Sequence, residues 1–111
     1  MASSSPCCQV TTTFPDETVA RRCAATLVGE RLAACAQVTG PIESTYRWDG
    51  QIETATEWYG HFKTTVARAS RLRARLREIH PYDTPEIIVV PIVDGDPDYL
   101  RWIEASVAPE G

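Results

Sequence analysis

Tyr46-Arg47-Trp48-Asp49-Gly50-Gln51-Ile52-Glu53 is the stretch that decides the fold of this chain. Asp49-Gly50 is a two-residue hairpin signal, because the favoured turn needs positive φ at both central positions and these residue types tolerate it. The flanks must then be paired strands. One runs from Ala34 to Trp48, interrupted near Gly40-Pro41, and the other from Gln51 to about Thr65. Upstream, Val19, Ala20, Cys23, Ala24, Leu27 and Val28 recur at helical spacing behind Asp16, whose carboxylate can cap free amides; this predicts a helix over about 17–31. Before it, the β-branched run from Cys7 to Thr13 predicts a first strand. Downstream, Ala69, Leu72, Leu76 and Ile79 form the apolar stripe of a second helix, which must end near His80 because Pro81 cannot continue it. Ile87 to Ile92 is a short continuous apolar run of the kind found in buried strands. Asp96-Pro97 then opens a last helix with Tyr99, Leu100, Trp102 and Ile103 on its apolar face.

The order β-α-β-β-α-β-α predicts an α+β chain of ferredoxin-like βαββαβ topology with an extra C-terminal helix, its antiparallel sheet covered by helices on one face. Residues 1–7 are assigned to a loose tail and 8–111 to one domain, with no internal repeat. Five of the nine aromatics, Tyr46, Trp48, Trp58, Tyr59 and Phe62, lie in a hairpin too long for so small a sheet, so the chain is expected to oligomerise.

Composition narrows the function. Fifteen acidic against eleven basic residues give a net charge of −4, so binding to nucleic acid would need a local basic patch. The only candidate is Arg68 to Arg77, which lacks interleaved aromatics and surrounds an apolar stripe; a solvated helix face is the plainer reading, and no nucleic-acid partner is expected. No apolar stretch is long enough to span a membrane, and the N-terminus lacks the pattern of a signal peptide. Cys7, Cys8, Cys23 and Cys35 have no C-x-x-C spacing, and a reduced, cytoplasmic protein is the expectation. Asp94, Asp96 and Asp98 imitate a calcium loop, but Tyr99 and Ala105 stand where Gly and Glu are required. There is no nucleophile elbow, P-loop, dinucleotide fingerprint or zincin motif, so no enzyme is predicted. An acid, Asp16, follows the first strand where a phosphate-cradling loop of an acylphosphatase would need Arg.

Two histidines remain. His61, between Gly60 and Phe62 on a strand, has no second ligand at i+2 or i+4 and reads as a surface or interface residue. His80 ends a helix beside Pro81-Tyr82, where it can cap helix carbonyls or, with Asp83 and Glu86 nearby in sequence, ligate a metal.

Six blocks taken in order carry a resemblance. They are Thr12-Thr13-Phe14-Pro15-Asp16, Arg31-Leu32-Ala33-Ala34-Cys35, Tyr46-Arg47-Trp48-Asp49-Gly50, Lys63-Thr64-Thr65, His80-Pro81-Tyr82-Asp83-Thr84-Pro85-Glu86-Ile87 and Tyr99-Leu100-Arg101-Trp102-Ile103. Over about residues 8–107 the sequence resembles the CutA family of divalent-cation-tolerance proteins. The resemblance implies a ferredoxin-like subunit in a homotrimer similar to the PII signalling proteins, a part in the response to metal ions, and copper binding in some members. Copper-binding members can carry Cys near Thr12 and a second His near Ile79; of that set only His80 stands here.

Two functions follow as expectations. The first is a trimeric metal-tolerance protein that requires no cofactor and binds Cu2+ weakly, with His80 supplying nitrogen and Glu86 or Asp83 supplying oxygen. The second is a PII-like small-molecule sensor or scaffold with an intersubunit cleft lined by Trp48, Lys63 and Tyr82, together with His80 and Glu86.

Overall fold

The computed structural model describes residues 5–109. Its elements are β1 (Cys7–Phe14), α1 (Glu17–Gly29), β2 (Cys35–Trp48), β3 (Gln51–Thr65), α2 (Val66–Ile79), β4 (Ile87–Pro91) and α3 (Pro97–Val107). The sheet order is β2-β3-β1-β4 with every pairing antiparallel, as the ferredoxin-like topology requires.

The hairpin signal is realised at the expected residues. Trp48 pairs with Gln51, and Asp49 and Gly50 take φ of 52° and 75°, the two positive values of the tight hairpin turn. The interruption near Gly40-Pro41 is a register shift between Thr39 and Ile42, with a cis peptide bond at Gly40-Pro41. The helix starts follow their caps: Asp16 accepts from the Val19 N–H at 2.8 Å and Asp96 from the Tyr99 N–H at 3.1 Å. α2 is capped by Thr65, which accepts from the Arg68 N–H at 3.3 Å.

β1 is the central strand and alternates between two cores. Val10 and Phe14 join Phe62 of β3 against Ala20, Cys23 and Leu27 of α1 and Leu72 and Leu76 of α2, all buried. Burying each of the large side chains contributes roughly 1.5–3 kcal/mol. Cys7, of opposite parity, packs with Ala34 and with Ile103 and Val107 of α3. Thus α1 and α2 cover one face, while α3 covers an end of the other instead of joining them.

Two expectations are corrected. The tail boundary at residue 7 gives way to the strand that the β-branched run predicts: Cys7 belongs to β1 and is fully buried, Ser5 Oγ accepts its N–H, and the Pro6 carbonyl accepts the Val66 N–H at 2.8 Å. The part of the expected tail before residue 5 lies outside the described residues. β4 is an edge strand, not a buried one, and Ile88, Val89 and Val90 are 41–49% exposed in the single chain. The hairpin does outrun its sheet as expected: β1 reaches along β3 only to Trp58, so the segments 42–48 and 51–57 pair only with each other and stand out beyond the sheet.

Candidate functional site

His80 lies where α2 ends, with its ring turned into the protein and 8% of its surface exposed. The ring stacks on Phe14 at 4.9 Å and leans on Tyr82 at 5.1 Å. Its two nitrogens have separate tasks. Nε2 is 2.9 Å from the Thr13 carbonyl oxygen, which can only accept, so this nitrogen carries the hydrogen; Thr12 Oγ1 lies 3.1 Å away. Nδ1 accepts the Tyr82 N–H at 3.1 Å, which requires a lone pair there. The arrangement is complete for a neutral imidazole. Burial lowers the His80 pKa below the ordinary 6.5, against the opposing pull of the Thr13 carbonyl and Glu57.

Tyr82 extends the network outward. Its O–H donates to Glu57 Oε2 at 2.8 Å, and Glu57 is itself only 8% exposed. Burial, the bond to Glu57 and the negative fields of Glu57, Tyr46 and Asp16 all push the phenol pKa up, so Tyr82 stays a donor. Four elements meet here: β1 through Thr12 and Thr13, β3 through Glu57, the end of α2, and the segment leading to β4.

The expected helix-capping role of His80 is not what the ring performs, since its hydrogen goes to a strand carbonyl. Nor is a metal site assembled. Asp83 and Glu86 are exposed, both His80 nitrogens are engaged, and among the described residues no three metal-ligating side chains cluster. These residues do not fit a resident metal. The Thr12–His80 pair is likewise unsuited to nucleophilic catalysis, because Nε2 presents a hydrogen, not the lone pair that a base needs.

The residues expected to line a cleft are separated within one chain. Trp48 sits at the hairpin tip, 56% exposed, whereas Lys63 is near the far end of β3, bonded to Gln37 Oε1. Gln51, the partner of Trp48, lies 12 residues before Lys63, roughly 40 Å of extended strand. His61 is half-buried on the α3-side face, where its Nδ1 lies 3.3 Å from both Gln9 Nε2 and Thr11 Oγ1. Burial, helped by Lys63, lowers its pKa. Cys7, Cys8, Cys23 and Cys35 are free thiols, and Cys7 and Cys8 are buried in β1.

Sequence reasoning missed Thr12, Thr13 and Glu57. Thr12 was detectable, since it shares parity with Val10 and Phe14 and therefore faces the helices. Glu57 gave no signal in a strand rich in polar residues.

The family model described as "CutA1 divalent ion tolerance protein" matches residues 8–106. The chain belongs to the CutA1 family. The divalent-cation tolerance protein CutA of Escherichia coli is 43% identical over 95 residues, which cover 86% of this chain and 85% of that one. Among solved structures, CutA from Xylella fastidiosa superposes with a TM-score of 0.91 at 39% identity, covering 93% of this chain and 99% of that one. CutA1 from Oryza sativa gives a TM-score of 0.91 at 33% identity, covering 96% and 98%. A neighbour from Archaeoglobus fulgidus, with a TM-score of 0.88 at 35% identity over 91% of this chain and 98% of that one, is described as periplasmic. The CutA1 family is named for tolerance, not for a reaction, and among the described residues no helix is long and apolar enough to cross a membrane.

Proposed function

We propose that this CutA1-family chain serves divalent-cation tolerance as a cytoplasmic homotrimer without a catalytic reaction. The observation that carries the reading is the overhanging half of the β2–β3 hairpin. It exposes Tyr46, Trp48 and Ile52 at 41%, 56% and 69%, while the apolar edge strand β4 lies open on the far side of the sheet. Two different surfaces that complete each other make a head-to-tail contact, which closes into a ring and not into a two-fold dimer. Each closure satisfies free strand edges and buries aromatic rings. Light scattering at micromolar concentration should return three times 12.3 kDa. A monomer would end the proposal.

Copper enters this reading as cargo that binds weakly. Cu2+ can take His80 Nδ1 only by displacing the Tyr82 N–H, and Glu86 or Asp83 would supply oxygen from an exposed, uncommitted position. Calorimetry on wild type and His80→Ala tests this; equal affinity in both would remove His80 from the site.

A second reading is favoured by the separation of Trp48 from Lys63. A cleft holding both, with Tyr82, must draw them from neighbouring copies, as in a PII-like sensor of small molecules. A ligand screen against the trimer separates this from metal handling: a metabolite that stabilises the trimer in the presence of chelator supports the sensor.

A further inference from the structure

The outer surface of α2 carries two clefts on either side of Ala74, and their charge differs. The first, toward the start of β2, is lined by Arg68, Arg71 and Arg75 but also by Glu30 and Glu78. There Arg75 Nε lies 2.9 Å from Glu30 Oε1 and Arg75 Nη1 3.9 Å from Glu78 Oε1, while Arg68 Nε donates to the Val107 carbonyl at 2.8 Å. That cleft is neutralised from within. The second, about 360 Å³, lies between α2 and the segment leading to β4, and is lined by Ser70, Arg73, Ala74, Arg77, Pro85 and Ile87. No carboxylate lines it.

The donors of this second cleft are available. Arg73 makes no ion pair or hydrogen bond among the described residues, and neither does the Ser70 hydroxyl. Arg77 donates one Nη2 hydrogen to the Asp83 carbonyl at 3.1 Å, which ties its guanidinium to the opposite wall and leaves its other N–H groups for a ligand. Arg73 and Arg77 are one helical turn apart, with Ser70 a further turn back, so all three lie on one side of α2. Facing them, Pro85 and Ile87 make a half-buried apolar wall. Two guanidiniums and a hydroxyl lining one cleft that no carboxylate lines suit a tetrahedral dianion, which Arg binds through paired N–H donors. The apolar wall gives a place for what the dianion is attached to, and the volume is at the lower end of small-ligand pockets.

We propose that the cleft between α2 and the segment 81–87 binds the phosphoryl group of a small phosphate monoester, with Ser70, Arg73 and Arg77 on the phosphoryl oxygens and Pro85 and Ile87 against the organic part. The site stands apart from the Asp16-containing turn after β1, where an acid disfavours phosphate. It also stands apart from the His80 network, and it does not depend on metal binding.

Titrating ¹⁵N-labelled protein with phenyl phosphate and with inorganic phosphate at low salt tests the assignment. Phenyl phosphate should give saturable shifts confined to residues around Ser70–Arg77 and Pro85–Ile87, and should bind several-fold more tightly than inorganic phosphate. Arg73→Gln and Arg77→Gln should each weaken it by about tenfold or more, as loss of a charge-assisted bond requires. Arg71→Gln, in the neutralised cleft of the same helix, should leave it within about twofold. An equal loss in Arg71→Gln would show a diffuse charge effect and overturn the site. Equal affinity for inorganic phosphate would overturn the ester assignment, and the lack of any saturable shift would overturn both.

Discussion

Replacing Tyr82 by Phe removes one atom from the His80 network and should expose its energetics. The phenol oxygen lies 2.8 Å from Glu57 Oε2, a good donor–acceptor distance to a carboxylate that is 8% exposed. The Phe ring keeps the packing against His80, so the change isolates the hydrogen bond. Bonds to charged groups contribute about 1.5–3 kcal/mol net, and an orphaned buried acceptor costs a similar amount. The small residual exposure of Glu57 lets water recover only part of the loss. A destabilisation of about 2 kcal/mol is therefore expected. Glu57→Gln should cost less, about 1 kcal/mol, because an amide oxygen still accepts from Tyr82 but without the charge. The double variant should fall short of the sum by about 1 kcal/mol, the signature of direct coupling. Urea unfolding at one fixed protein concentration provides the measurement, since unfolding of an assembled protein depends on mass action. A Tyr82→Phe effect below about 0.5 kcal/mol, or strict additivity in the double variant, would refute the claim that this bond holds the network.

Two further perturbations address the same region. Burial lowers the folded-state pKa of both His80 and His61 below 6.5, so the unfolded chain takes up protons first as the pH falls. Stability should be full above about pH 6.5 and decline as acidification proceeds from there toward the folded pKa values; His80→Gln should flatten that decline, measured as denaturation midpoint against pH. At Gly60, an added Cβ would stand 2.8 Å from Phe14 Cε2 and 3.1 Å from Phe62 Cε2, both in buried rings. Gly60→Ala should therefore cost about 1–3 kcal/mol through overpacking, and should also shift the ring resonances of His80, which stacks on Phe14. A neutral Gly60→Ala variant with unchanged His80 resonances would contradict that packing.

The elements with local causes were legible in the sequence. Asp49-Gly50 set the hairpin and its register, Asp16 and Asp96 set helix starts, and Pro81 ended α2, because each acts through its own backbone. The burial of β4 was misread for a non-local reason. A continuous apolar run marks a strand covered on both faces, but it cannot say whether the cover comes from the same chain. Ile88, Val89 and Val90 are the residues of a covered strand placed on an open edge, which is itself an argument for a partner. The site was half legible. His80 stood out by its chemistry and its place before Pro81. That its lone pair is spent on the Tyr82 N–H follows only from how the chain folds back after Pro81, and no spacing rule reports it.

Glu57 joins these two halves. It is the residue of β3 immediately beyond the last pairing with β1, Trp58 with Phe14, and it pairs with Ile42 just past the register shift in β2. The overhanging part of the hairpin therefore begins at Glu57. By accepting the Tyr82 O–H there, it ties the base of that arm to the segment between α2 and β4, while His80 ties the same segment to β1 through Thr13. A buried polar network with every member satisfied is costly to rearrange, so it holds one geometry in preference to neighbouring ones. Placed where an arm leaves the sheet, such a network fixes the base of the arm as well as contributing to stability. In the homotrimer proposed above, His80 would thereby help to aim the hairpin toward a neighbouring copy. Under the copper binding proposed above, capture of His80 Nδ1 would displace the Tyr82 N–H, and so disturb the segment whose Tyr82 O–H is anchored to Glu57 at the base of the arm.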